Sequence, residues 1–460
     1  MRARTFGAPL AVLTSLFFLW GFITVLNDVL VPHWKALFQL TYAQSLLVQF
    51  CFFGAYFVGS VAYYLISVSS GDPIHRIGYK RGLVLGLMIA GLGCALFAPA
   101  SLAHSYAAHL GALFVLGLGF TVLQIAANPF VAIIGPPEGA SSRLNLAQAF
   151  NSLGTTLAPL VGGWLIFGRT DAASAVRLPY LGLALVLVLI ALVVQATRLP
   201  EPPHAEGIGQ SNALRHPQLR WGMLAIFCYV GAEVAVGSLI INFLALDSVT
   251  GFGEEVAKHY LSLYWGGAMA GRFIGAVALD KAMAPGRKPG IMAAIGAAMF
   301  VLLMVLNATG PVSIGDLWPM ALLIVANIIV AMLAKGSPGR AMGLFALVAV
   351  ALLAVVIAGQ GSIALWSIVA IGLFNSILWS NIFTLSIDGL GADTAQGSSL
   401  LVMMILGGAI IPWVQASIID LLGTGGVHER AFHLSFLLPL ACYAYLVWYG
   451  LRGSELRSRP

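Results

Sequence analysis

Fourteen apolar runs, each about the length of one bilayer crossing, divide this chain, and they leave few alternatives for its fold. A spanning helix needs about 20 mostly apolar residues. The runs cover 8–31, 42–66, 82–100, 108–134, 144–167, 178–196, 221–246, 258–279, 289–306, 317–334, 342–359, 361–387, 396–420 and 430–451. Charged residues make up only 9% of the 460 positions, against about 25% in ordinary globular chains. So few charges cannot solvate the surface of a soluble protein of this size. The net charge of +6 comes from scattered single bases, without the patch that nucleic-acid binding requires. The chain reads as an all-α integral membrane protein, with the lipid bilayer as its main partner and a monomer as its expected state.

The basic residues test the map of spans, because cytoplasmic loops are enriched in Lys and Arg. With the N-terminus inside, 17 of the 23 Lys and Arg residues fall in inside loops and five outside, and Arg272 lies within a span. Lys335 and Arg340 fall inside only if both 317–334 and 342–359 cross. The expected placement is the cytoplasmic (inner) membrane with both termini cytoplasmic. Arg2 and Arg4 before an apolar run mimic a secretory signal, but the run continues to about Val31 without a small-residue cleavage pattern, so a retained first helix is expected. Cys51, Cys94, Cys228 and Cys442 sit inside apolar runs at no metal-binding spacing and read as small hydrophobes.

An internal repeat organises the spans. A shift of 253 residues lays Gly119, Asn128, Phe130, Leu153, Gly154 and Pro159 on Gly372, Asn381, Phe383, Leu406, Gly407 and Pro412; a shift of 210 lays Phe17 and Gly21 on Phe227 and Gly231. The difference is about one helical hairpin. We therefore expect an N-terminal six-helix bundle over 1–200, a polar cytoplasmic linker over 201–220, and a C-terminal bundle over 221–454 with an inserted hairpin near 317–359. Two bundles in parallel repeat around a central site are the major facilitator architecture, here with 12 core helices and 14 in all.

Charges are costly in hydrocarbon and need a reason. Asp28 lies in the first span, Glu233 in the seventh, and Arg272 in the eighth. A buried carboxylate can load and unload a proton or ligate Na⁺, which is what cation-coupled uptake needs; it can also be a structural acid satisfied by neighbouring donors. Amides recur at helical spacing: Gln124 and Asn128 on one span, Asn145, Gln148 and Asn151 on the next, with Asn242 and Asn375 elsewhere. Side-by-side donors and acceptors match a vicinal diol, and aromatic faces such as Trp20, Tyr229, Trp265 and Trp379 can stack on a sugar. The alternative is that such amides tie helices together. Gly267, Gly271 and Gly275, four residues apart, read as a packing stripe. No Lys is followed by Ser or Thr, and there is no HExxH or GxSxG, so an ATP-driven pump or an enzyme is not expected. No cofactor or metal-ligand set is expected beyond a coupling H⁺ or Na⁺ at Asp28.

The segments FFLWGFITVLNDVLVP (17–32), QIAANPFVAIIGPPEGASSRLNLAQAFNSLGTTLAP (124–159), YWGGAMAGRFIG (264–275), AIGLFNS (370–376) and QGSSLLVMMILGGAIIP (396–412) resemble the fucose–galactose–glucose:cation symporters of the major facilitator superfamily, most closely the bacterial glucose/galactose branch. The loop HRIGYKR (75–81) resembles the superfamily's signature between spans two and three, with His75 where that signature has Asp. In fucose permeases the acid of the first-span N-D pair couples the cation, which the resemblance maps onto Asp28 after Asn27. Those permeases carry Glu in the slot of Gln124 and an amide in the slot of Glu233, an exchange that points away from fucose, as does Val25 in place of a polar Asn. LWSNIFTLSI (378–387) departs from the branch's usual FPTIF, which leaves the hexose open.

The resulting expectation is a hexose:cation symporter working by alternating access, with an uncoupled facilitator or a transporter-like sensor as the other readings. Cation coupling is expected at Asp28 and Glu233. Substrate binding is expected at Asn27, Gln124, Asn128, Gln148, Asn151, Asn242, Trp265, Asn375 and Trp379. Gating is expected at Arg76, Arg272 and Asp280.

Overall fold

A computed structural model describes residues 7–40, 44, 47–167, 172–200, 212–308, 310, 312–422 and 428–456. Among the described residues every regular element is helical, as hydrocarbon demands of a chain that must satisfy its own backbone groups. The long helices are α1 (Gly7–Leu37), α2 (Leu47–Ser70), α3 (Tyr79–Leu102), α4 (Tyr106–Ile133), α5 (Ala140–Phe167) and α6 (Ala172–Ala196). They continue with α7 (Pro217–Leu244), α8 (Glu254–Ala278), α9 (Lys288–Asn307), α10 (Pro319–Leu333), α11 (Pro338–Ala358), α12 (Gly361–Asn375) and α13 (Leu378–Ile387). The last are α14 (Thr394–Met403), α15 (Gly407–Leu422), α16 (His428–Ser435) and α17 (Leu437–Leu451).

Twelve helical stretches among the described residues are long and apolar enough to cross a membrane. Helices α5 and α8 are as long but more polar, α5 carrying Arg143, Asn145, Gln148 and Asn151 and α8 carrying Glu254, Glu255, Lys258 and Arg272. With these two, each of the expected crossings has its helix. Three crossings differ from expectation in being interrupted. The run 361–387 breaks between α12 and α13, 396–420 passes through a 3₁₀ turn at Met404–Leu406, and 430–451 breaks between α16 and α17.

The helices gather into two compact units. The first comprises Met1–Pro137, Phe150–Arg215 and Ile387–Met404; the second comprises Glu138–Ala149, His216–Ser386 and Ile405–Pro460. Each unit therefore takes most of one half of the chain and one segment of the other. In the first unit, α3 packs chiefly on α4 and α6, α2 packs on α4, and α14 lies against α2 and α4. The α3–α4 crossing is close enough that a Cβ on Gly119 would lie 2.3 Å from the Ala90 backbone nitrogen. The end of the linker is held here too: Arg215 pairs with Asp393 at 3.1 Å, and the Ala213 N–H donates to Gln396 at 2.6 Å. Linker residues 201–211 lie outside the described residues.

In the second unit α11 packs chiefly on α12 and α17, α8 packs on α12, and α7 packs on α15 and α17. Thus α11 has the partners that α3 has in the first unit, and α8 has those of α2. Helices α9 and α10 pack on α8 and on each other and have no counterpart. We infer that the unmatched pair is α9–α10, about 288–333, rather than 317–359. All three runs concerned are apolar enough to span, so it is their packing partners that distinguish them.

Candidate functional site

The break between α12 and α13 is the natural place to begin, because a helix end buried in a membrane leaves carbonyls that need donors. Ser376 folds its own hydroxyl back onto the Leu373 carbonyl at 2.7 Å, a local bond that competes with helix continuation. The same carbonyl receives the Asn327 Nδ2 of α10 at 2.9 Å. The Ser376 carbonyl receives Arg272 Nε of α8 at 3.1 Å, and the Asn375 carbonyl lies 3.3 Å from the Tyr229 hydroxyl of α7. The glycine stripe on α8 permits this approach: a Cβ on Gly271 would lie 2.3 Å from Ser376 Oγ, and one on Gly275 would lie 2.3 Å from Ile377.

Around these carbonyls stands a buried polar network. Tyr229 turns its single hydroxyl proton mainly to Glu233 Oε1, at 2.7 Å. Arg272 Nη2 lies 3.6 Å from the same oxygen, with the two side chains 12% and 11% exposed. Tyr264 donates to the Glu233 backbone carbonyl at 3.0 Å and accepts from Asn375 Nδ2 at 2.8 Å, while Tyr443 donates to Asn375 Oδ1. Arg272 thus grips a carboxylate with one nitrogen and a freed helix carbonyl with another. Arg272 of α8 therefore joins Glu233 of α7 to the end of α12 through one side chain.

The first unit holds a different cluster. Trp20 Nε1 donates to the Tyr56 hydroxyl at 3.3 Å, and Thr24 and Gln124 lie beside that hydroxyl. Gln124 is 1% exposed, yet neither of its amide atoms makes a hydrogen bond of good geometry among the described residues. Asn128 donates to the Gln124 backbone carbonyl at 3.1 Å and leaves its Oδ1 unmatched. Buried amides with unused capacity mark a place for a polar ligand or water.

The remaining expected residues divide. Gln148 is buried in the second unit, on the segment 138–149. Asn151 is a tie: its Nδ2 donates to the Phe17 carbonyl at 3.0 Å where Gly21 lets α1 and α5 touch. Asn375 is likewise consumed, its amide held by Tyr264 and Tyr443. Trp379 is buried, stacks on Phe383 and leaves Nε1 unmatched. Trp265 is 40% exposed, edge-on to Tyr264. Asn242 is exposed near the end of α7, and the site geometry does not include it. Arg76 is exposed on the short helix Pro73–Ile77, whose N-cap is Asp72. Asp280 caps the Ala282 N–H at 2.8 Å and attracts Arg143. The side chains of Asn27 and Asp28 lie outside the described residues. Sequence reasoning did not single out Tyr264, Tyr443, Ser376 or Asn327. Only Asn327 carries a signal, as the lone polar side chain in α10.

Residues 10–358 match the model of the Major Facilitator Superfamily. The chain belongs to that superfamily. It is therefore a multi-pass membrane transporter and not an enzyme. A Glucose/galactose transporter of Brucella abortus is 44% identical over 462 residues, covering 98% of this chain and 95% of the relative. An L-fucose-proton symporter of Escherichia coli is 29% identical over 477 residues, covering 97% and 93%. The crystal structure of a superfamily transporter, FucP, in the outward conformation superposes with a TM-score of 0.76 at 28% identity, covering 98% of this chain and all of that one.

Proposed function

We propose that this chain carries a hexose of the glucose/galactose type into the cell in symport with a proton, by alternating access, across the cytoplasmic membrane with both termini inside. The observation that carries the reading is the collinear likeness to a Glucose/galactose transporter over nearly the whole of both chains. Proton rather than Na⁺ coupling is supported by the likeness to an L-fucose-proton symporter. The sugar is read by Gln124 and Asn128, whose amides keep unmatched atoms among the described residues, whereas the amides of Asn151 and Asn375 hold protein partners.

Asp28 is the coupling carboxylate in this reading. Glu233 is the counter-charge of Arg272, so its work is to hold the broken helix rather than to bind a free cation. Binding a proton at Asp28 favours the sugar-competent state, and coupling follows from that difference in affinity. The test is galactose accumulation in proteoliposomes of the wild type and Asp28→Asn. The wild type should accumulate galactose with choline replacing Na⁺ and lose accumulation with a protonophore. Asp28→Asn should lose accumulation while keeping exchange of bound sugar. Accumulation that survives the protonophore and requires Na⁺ overturns the proton; equilibration without accumulation in the wild type makes the chain a facilitator.

A further inference from the structure

Helix α10 reads PMALLIVANIIVAML, and Asn327 is its single polar side chain, 0% exposed. A buried amide costs free energy unless it is bonded, and a leucine in its place would bury as well without that cost. Asn327 is also only half satisfied. Its Nδ2 donates to the Leu373 carbonyl at 2.9 Å, but its Oδ1 has no partner among the described residues. What the amide contributes is therefore concentrated in one bond to one carbonyl, and that carbonyl is in the last turn before the α12–α13 break. Met320, two turns earlier on α10, lies against the same stripe: its methyl would be 3.2 Å from a Cβ on Gly267, and Leu373 would be 3.0 Å away. Helix α10 thus seats on the groove between α8 and α12 at the level of the break.

We propose that Asn327 is a positioning residue through which the unmatched hairpin α9–α10 holds the broken helix. By fixing the Leu373 carbonyl it sets the angle at which Asn375 and Ser376 meet Tyr229 and Arg272, and through Arg272 it sets the place of Glu233. The hairpin then acts as a brace for the second unit: Lys288 reaches the Ala278 carbonyl at 2.9 Å and Asn307 meets His259 at 3.0 Å at the two ends of α9, and the Asn327 amide is the polar contact at the break. The consequence for transport rests on the symport reading above; the brace itself does not.

The test uses the full-length protein in proteoliposomes, as wild type, Asn327→Leu and Asn327→Gln. Hydrogen exchange is followed at residues 373–380 and, as a reference, along α3. Loss of the bond should speed exchange at the break about tenfold in Asn327→Leu, leave α3 unchanged, and be largely reversed in Asn327→Gln. In galactose counterflow the half-saturating concentration should rise more than the maximal rate falls, again with recovery in Asn327→Gln. Break exchange equal to wild type in Asn327→Leu overturns the brace, as does an equal acceleration in α3, which would mean general loosening. If Asn327→Leu does not fold, Asn327→Ser is read by the same criteria. Wild type without galactose counterflow would sink the substrate assignment and leave the exchange result to decide the brace alone.

Discussion

The middle of α4 and the α12–α13 break are the same stretch of the repeat, and they have solved it differently. At the shift of 253, Gly119, Gln124 and Asn128 lie on Gly372, Ile377 and Asn381, yet α4 runs through unbroken from Tyr106 to Ile133 while its counterpart stops at Asn375 and restarts at Leu378. The neighbours explain the difference. At the shift of 210, Tyr229 and Glu233 of α7 fall on Leu19 and Ile23 of α1, which are buried and apolar. A freed carbonyl is tolerated at membrane depth only where donors reach it. The second unit supplies Tyr229, Arg272 and Asn327; the first has apolar side chains at the two α1 positions and keeps a whole helix. Polar capacity is then used in opposite ways. The amide of Asn375 is taken up by tyrosines, whereas neither amide atom of Gln124 is matched by a hydrogen bond of good geometry among the described residues.

The sharpest way to break this comparison is to remove the partner of Glu233, the charge that has no counterpart in α1. Arg272→Met should cost about 3–5 kcal/mol of stability, because it leaves the Glu233 carboxylate buried with Tyr229 alone. Adding Glu233→Gln should recover most of that loss and leave about 1 kcal/mol for the orphaned Ser376 carbonyl. Thermal unfolding of the two single variants and the double variant closes the cycle. A double variant no more stable than Arg272→Met would mean that the pair is not what holds this region.

The same residues show what could be read without a structure. The spans were legible because lipid imposes length and apolarity. The family resemblance was legible at 124–159 and 264–275 for the same reason that motifs are, in dense collinear residues. The break was not legible, since 361–387 reads as one apolar run. Only the convergence of Tyr229, Arg272 and Asn327 from three other helices makes an interruption affordable there. The identity of the unmatched hairpin was hidden in the same way, because α9, α10 and α11 are all apolar enough to span and it is their neighbours that set them apart. An amide's role is likewise a property of what faces it: Asn151 carries the same group as a sugar-binding asparagine but meets the Phe17 carbonyl.

Where the two halves do keep one solution, substitution should cost them alike. Gly154 on α5 and Gly407 on α15 occupy equivalent places, and a Cβ on either would lie 2.1 Å from a backbone carbonyl oxygen, of Phe18 or of Phe227. Backbone cannot step aside as a flexible side chain can. Gly154→Ala and Gly407→Ala should each cost roughly 1–3 kcal/mol, measured by thermal unfolding in the same detergent. A marked inequality between them would show that the shared glycine hides two different interfaces.

The smallest expected difference lies at two helix starts. Asp72 caps the short helix before α3, accepting from the His75 N–H at 3.0 Å and from Tyr63 at 2.6 Å; Ser337 caps α11, accepting from the Arg340 N–H at 3.4 Å. One cap titrates and the other does not. Burial pushes the Asp72 carboxyl above its ordinary value of 3.8, and the bonds from Tyr63 and His75 hold part of that rise back. A raised folded-state value means that the folded protein binds the proton more tightly than the unfolded chain. The associated stability is therefore fully present below pH 3.8 and is lost as pH rises through the raised value. Wild type should show this decline in unfolding temperature across the acidic range. Asp72→Asn keeps a capping oxygen, removes the titration and should flatten the decline, by less than either glycine effect. Ser337→Ala should lower stability by about 0.5–2 kcal/mol for the lost cap with no change in the slope. If Asp72→Asn retains the wild-type slope, the acid dependence belongs to some other carboxylate and the two caps are equivalent after all.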